Sequence, residues 1–133
     1  MNKVTFEKLP NTKNVDGAKW WVEEKGIFAQ IAYNEEIRHL AFFELKNGFY
    51  RGSHFHKQKE ETFYVISGRI RAIFRDMETP GEEEEHILVK GDRIRVKTNC
   101  GHIFYGLEDV LVVEYSPQVY DKNDTYPVDF KGM

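Results

Sequence analysis

The sequence predicts an all-β chain, a sandwich or barrel of short antiparallel strands. Three observations lead there. Turn signals recur at short intervals: "NTKNVDG" (11–17), "YNEE" (33–36), "KNG" (46–48), "SG" (67–68), "TPGEEEE" (79–85), "KGD" (90–92), "TNCG" (98–101) and "SP" (116–117). The segments between them are rich in β-branched and aromatic residues and alternate in polarity, the period of a strand with one buried face. No stretch of about twelve residues carries the apolar spacing of a helix, and no internal repeat is present.

Taken in order, strands are expected near 27–33, 37–45, 49–56, 61–67, 69–75, 86–90, 93–97, 102–105 and 109–115. In "ETFYVIS" the alternation puts Glu61, Phe63 and Val65 on one face and Thr62, Tyr64 and Ile66 on the other. "RIRAIF" sets Ile70, Ala72 and Phe74 opposite Arg69, Arg71 and Ile73, and "RIRV" repeats the pattern. "DVLVVEY" is apolar nearly throughout, as for a strand covered on both sides. Phe63, Val65, Ile70, Ala72, Phe74, Val96, Phe104 and Val112 are the expected core. The acidic run Glu82–Glu85 beside Pro80 and Gly81 reads as a solvated hairpin tip. Residues 118–133 read as an irregular tail whose Tyr120, Tyr126 and Phe130 pack across the barrel wall or a partner.

The 133 residues suit one domain, with a core over about 27–116, an N-terminal arm and a C-terminal tail. A hydrophobic share of 41% supports a packed interior. A net charge of −3 gives no electrostatic reason to expect nucleic acid or membrane as a partner. The single cysteine, Cys100, supplies neither an intrachain disulfide nor a thiolate cluster. No apolar run approaches the roughly 20 residues of a spanning helix, and the first residues lack a signal-like apolar stretch. The expected setting is cytoplasmic.

The chemistry concentrates in "GSHFHKQKEETFYVISG" (52–68). Residues two apart on a strand face the same way, so His54 and His56 project together and can share a divalent ion. Glu61 shares a face with the apolar Phe63 and Val65, where a carboxylate is costly unless it is paired or ligated. Glu60, the rival ligand, falls on the turn with the opposite parity. His39 and His86 lack a supporting pattern. His102 opens a strand after the Asn- and Gly-rich bend that closes "KGDRIRVKTNCG".

These residues resemble the two motifs of the cupin superfamily, small barrels of the double-stranded β-helix or jelly-roll type. The first motif is matched at every spacing by Gly48, His54, His56, Glu61 and Gly68. The second is matched by Gly91 and His102, while Lys97, Asn99 and Gly106 stand where the family has Pro, Gly and Asn. The resemblance implies an all-β single-domain cupin with His54, His56, Glu61 and His102 as metal ligands. Three histidines and a carboxylate leave open positions on a six-coordinate ion, which suits Mn, Fe, Ni, Cu or Zn.

"RGSHFHKQKEETFYVISGRIRAIFRD" (51–76) is also similar to cupins of nucleotide-sugar pathways, including epimerase-type domains acting on 4-keto sugars. This implies a small-molecule substrate, a sugar derivative, and proton removal beside a carbonyl while an electrophile holds the enolate oxygen. Tyr50 is the expected proton-transfer residue if its strand is regular; the alternative is a tyrosine at the barrel mouth bonded to backbone. Arg51, Lys57, Arg69 and Arg71 are candidates for a phosphate or carboxylate, with a solvated outer face as the plainer account of Arg69 and Arg71. Two other functions share the same ligands: a dioxygenase-type oxidoreductase, and a non-catalytic module that binds a small polar ligand. A homodimer is expected through "KWWVEE" and "DTYPVDF", since sheet edges invite pairing unless covered.

Overall fold

A computed structural model describes residues 1–130 and contains two five-stranded antiparallel sheets and a separate two-stranded hairpin. The strands are β1 (Val4–Lys8), β2 (Lys19–Glu23), β3 (Gly26–Gln30), β4 (His39–Leu45), β5 (Tyr50–Phe55), β6 (Glu61–Ser67), β7 (Arg69–Asp76), β8 (Glu83–Val89), β9 (Asp92–Val96), β10 (Cys100–Gly106), β11 (Val110–Ser116) and β12 (Tyr126–Pro127). A short 3₁₀ turn, Lys122–Asp124, precedes β12. One sheet runs β1-β9-β6-β11-β4 and the other β12-β5-β10-β7-β8. Among the described residues no helix is long and apolar enough to cross a membrane.

The inner faces of the two sheets form one core. Phe63 and Val65 of β6, Ile70, Ala72 and Phe74 of β7, Val96 of β9, Phe104 of β10 and Val112 of β11 are all buried in it. Alternation explains this, because each inward residue sits at even spacing from the last along its strand. A smaller cluster behind the second sheet joins Ile73 and Ile103 to Val128 and Phe130 of the C-terminal segment.

Several elements differ from the sequence expectation. The N-terminal arm forms β1 and pairs with β9, register Val4↔Val96 to Lys8↔Asp92, so Val4 joins the core. As an edge strand with one buried residue, "VTFEK" carries a weak pattern. The strand expected over 27–33 ends at Gln30 and pairs with β2, outside both large sheets. There Trp21 stacks on Phe28, with ring centroids 4.7 Å apart.

The acidic run is not a free hairpin tip. Glu83, Glu84 and Glu85 are strand residues of β8, opposite Arg75, Phe74 and Ile73 of β7. Ion pairs Arg75–Glu83, at 2.8 Å, and Arg71–Glu85 offset the mutual repulsion of the carboxylates.

β5 is irregular where it matters most. Gly52 (φ 93°) and Ser53 (φ 68°) both have positive φ, and the pairing with β10 shifts register between His102 and Ile103. This is a β-bulge, which inserts one extra residue and reverses side-chain parity beyond it. A Cβ on Gly52 would stand 2.9 Å from the His102 carbonyl oxygen, so the close backbone approach requires glycine there.

Candidate metal centre and cavity

Four side chains from three strands and one loop meet inside the barrel. His54 lies on β5 and His56 just beyond its end; Glu61 opens β6 and His102 lies near the start of β10. Antiparallel pairing sets His102 directly across from His54, on the same face. One ligand atom from each of His54, His56, Glu61 and His102 lies within 4.8 Å of all the others. Glu61 Oε1 stands 3.1 Å from His56 Nε2 and 3.4 Å from His102 Nε2.

The donor set fits a divalent ion. Glu61 Oε1 is buried with no aligned hydrogen-bond donor, although an unpaired buried carboxylate oxygen is costly. Two imidazoles present Nε2 inward because their other nitrogens are engaged. His56 Nδ1 meets the Asp124 carbonyl at 2.7 Å, and His102 Nδ1 the Cys100 carbonyl at 3.2 Å. A carbonyl only accepts, so each Nδ1 carries the hydrogen and each Nε2 keeps its lone pair for the centre.

The electrostatics suit a cation. Burial opposes ionisation of Glu61, but His56, His102 and Lys59 outweigh it and hold the carboxyl well below the usual carboxylate range. Burial, then the neighbouring His102 and His56, lowers His54 to about 4. Burial lowers His102 as well. Burial opposes the charged form of His56 too, but its contacts with Glu61 and the Asp124 carbonyl outweigh it and raise its pKa. Metal ligation needs neutral imidazoles and an ionised carboxylate, so His56 is the ligand that would give up a proton to an ion.

A cavity of about 170 Å³ reaches this cluster. Its walls include Phe43, Phe63 and Phe104, with Arg51 and Glu114 as the polar side chains besides the cluster itself. Arg51 lies over the Phe43 ring at 5.2 Å and donates through Nε to the Glu44 carbonyl. A second cavity, of about 310 Å³, adjoins it with Arg51 as common wall and is lined by Lys46, Phe49 and Tyr50.

Tyr50 is not brought to the cluster. The bulge at Gly52 and Ser53 places Arg51 opposite the inward Phe104, and Tyr50 opposite Tyr105, where it is 60% exposed. Had β5 been regular, Tyr50 would share the face of His54; the extra residue exchanges their parity.

Glu114 was not singled out in the sequence, and it lies on the cavity wall. It pairs with the inward Phe63, and burial, then the charge of Glu61, raises its pKa. Its signal was legible: a lone acid in the otherwise apolar "VLVVEY", at the parity of Val110 and Val112. His39, His86 and Glu60 stand outside the cluster. His86 packs on the Phe6 ring at 4.0 Å.

The two antiparallel sheets close into a barrel with the RmlC-like, cupin-type fold. More narrowly, the chain belongs to the family described as the polysaccharide biosynthesis C-terminal domain, whose model matches residues 21–126. A curated relative, UDP-2-acetamido-2,6-beta-L-arabino-hexul-4-ose reductase of Pseudomonas aeruginosa, is 30% identical over 111 residues. That match covers 78% of this chain and 29% of the relative, so the chain spans less than a third of that protein.

Among solved structures, dTDP-6-deoxy-D-glucose-3,5-epimerase RmlC of Legionella pneumophila superposes with a TM-score of 0.75 at 16% identity. The superposition covers 96% of this chain and 79% of that one. The sugar 3,4-ketoisomerase QdtA of Thermoanaerobacterium thermosaccharolyticum gives 0.75 at 14% identity, covering 94% and 88%. The capsular polysaccharide assembling protein CapF of Staphylococcus aureus gives 0.65 at 24% identity, covering 91% of this chain and 35% of its own.

Proposed function

We propose that this domain is an epimerase or isomerase of a nucleotide-linked keto sugar, working at the His54, His56, Glu61 and His102 cluster. The observation that carries the proposal is the convergence of these four donors, three of which (His54, Glu61 and His102) line a cavity that also holds a carboxyl outside the cluster, Glu114. The relatives support the substrate class, since their names describe a hexul-4-ose reductase, a deoxysugar epimerase and a sugar ketoisomerase.

Such a reaction removes a proton from carbon next to a carbonyl and returns one, to the other face of the same carbon or to a neighbouring atom. His54, His56, Glu61 and His102 would hold a divalent ion, which would supply Lewis acidity to the carbonyl oxygen. The chain supplies the rest. Glu114, on the cavity wall, is the group that would take the proton and return it to a neighbouring atom on the same face. Inversion at one carbon would draw its returning proton from the opposite side. Phe43, Phe63 and Phe104 exclude water, which strengthens every charge interaction inside. A cavity of about 170 Å³ holds the sugar ring, so the nucleotide extends past Arg51 into the adjoining cavity near Lys46, with Phe49 and Tyr50 at its rim.

The test is solvent exchange. The protein loaded with Zn²⁺ or Mn²⁺ and given a UDP-linked 4-keto-6-deoxy sugar in D₂O should introduce deuterium beside the carbonyl, read by proton NMR. Glu61→Gln and His102→Ala should abolish the exchange. Oxygen uptake without exchange would overturn the proposal. Full-rate exchange after complete chelation would remove the ion from it.

A further inference from the structure

We propose that Asp124, from the C-terminal segment, is the positioning residue of the metal centre, and that one residue there orients two ligands at once. This rests on the metal reading of the cluster. The sequence marks residues 118–133 as a tail, but the structure folds their described part against β5 and the loop after it, which carry His54 and His56 and lead into Glu61.

The first arm is direct. The Asp124 carbonyl accepts from His56 Nδ1 at 2.7 Å, which fixes both the tautomer and the ring plane. The second arm runs through the loop between β5 and β6. The Asp124 carboxylate accepts from the backbone N–H groups of Lys57 at 2.8 Å, Gln58 at 3.0 Å and Lys59 at 3.1 Å. Three successive amides around one buried carboxylate form an anion nest, and they hold this loop in a single shape.

That shape places Lys59. Its side chain is only 5% exposed, with Nζ 3.6 Å from Glu61 Oε2 and over the Tyr120 ring at 5.4 Å. With Oε2 facing Lys59, Glu61 turns Oε1 toward His56 and His102, so Oε1 is the oxygen it would offer to an ion.

Asp124 is itself anchored. Its N–H donates to the Asp121 carbonyl at 2.9 Å, and the Asp121 side chain caps the 3₁₀ turn by accepting from Asn123 N. Beyond the turn, β12 pairs Tyr126 with Phe55 and Pro127 with His54. Ser53 and Val128 then exchange two bonds: Val128 N donates to the Ser53 carbonyl at 2.9 Å, and Ser53 Oγ donates to the Val128 carbonyl at 2.6 Å. Docking of this segment and binding of the ion therefore favour each other, and the coupling is reciprocal.

The experiment measures Zn²⁺ and Co²⁺ affinity of the full chain by calorimetry, with the Co²⁺ absorption spectrum as a report on ligand geometry. Wild type should bind one ion. Asp124→Ala keeps the backbone carbonyl but removes the carboxylate that ties it to the β5–β6 loop. It should therefore bind more weakly, by up to the roughly 10–100-fold typical of losing a partner that orients a ligand, with an altered spectrum. Asp124→Asn, which keeps one accepting oxygen, should fall between them. Lys59→Met should change the spectrum through the Glu61 arm alone, and it stands in should Asp124→Ala fail to fold. Zn²⁺ should slow amide exchange over 118–130 in wild type and not in Asp124→Ala. Wild-type affinity and spectrum in folded Asp124→Ala, or in folded Asp124→Asn and Lys59→Met together, would overturn the proposal. Wild type that binds neither ion would instead overturn the metal reading and this proposal with it.

Discussion

His54 and His102 stand opposite each other across the β5–β10 pairing, their rings 4.8 Å apart and nearly perpendicular, edge to face. The pairing shifts register immediately beyond His102, so the two imidazoles sit at the last regular rung before the bulge. Geometry at this rung decides which side chains reach the cavity, and several measurable consequences come from it.

Removing a donor from the cluster should strip the ion without unfolding the barrel, whose apolar core is a separate set of residues. His102→Ala and Glu61→Gln are expected to lose most bound metal by elemental analysis. His39→Ala, His86→Ala and Glu60→Gln should keep it, because none of these side chains joins the four. Metal loss in His86→Ala together with retention in His102→Ala would place the centre elsewhere.

Gly52→Ala should be costly. The added Cβ would meet the His102 carbonyl oxygen at 2.9 Å, and the positive φ adds strain. The combined loss is expected to exceed about 1–3 kcal/mol, the usual cost of one strained residue. Gly81→Ala shares the positive φ but meets nothing within 4 Å, so it should cost less. Urea unfolding of the two variants provides the comparison, and equal losses would count against the close approach.

Acid should weaken the fold through Glu7 and Glu35. Burial disfavours the Glu7 carboxylate, yet Arg93 and Arg95 lower its pKa below the ordinary 4.5. Glu35 is lowered first by its bond to Arg95, against the effect of burial. The unfolded state then binds more protons than the folded one in this range. The stabilisation is complete above pH 4.5 and is lost as pH falls through the lower folded values. Urea midpoints should drop as pH is lowered below that point, and Glu35→Gln should flatten the drop. Parallel curves for wild type and variant would contradict this.

Cys100 should be inert. It belongs to the core, and burial pushes its thiol up to about 12. A thiol reagent at mildly alkaline pH should titrate no cysteine in the native protein and one after denaturation. Rapid labelling of the native chain would show that β10 opens locally.

Arg51→Ala should weaken binding of a nucleotide diphosphate while leaving metal content unchanged, because Arg51 walls both cavities without being a ligand. Calorimetry with UDP, beside elemental analysis, checks this. Unaltered UDP affinity would move the phosphate site away from the Arg51 wall.

By itself the sequence determined the strands β4 to β11, the inward-facing core and the spacing of His54, His56, Glu61 and His102. Each of these depends on local parity, since a regular strand alternates its side chains whatever it later pairs with. Phe63, Val65, Ile70, Ala72, Phe74, Val96, Phe104 and Val112 are buried because their strands hold that alternation. Only the tertiary structure decided the rest. The bulge at Gly52 and Ser53 arises where β5 presses against the His102 carbonyl, and it sends Tyr50 outward and Arg51 inward. The inward parity of Glu114 is local, but its place opposite Phe63 on the cavity wall comes from the register of β11 on β6, which local pattern does not specify. Asp124 reaches His56 because the C-terminal segment doubles back along β5. These are contacts between residues far apart in the chain. Chain closure brings them together, and no local period encodes it.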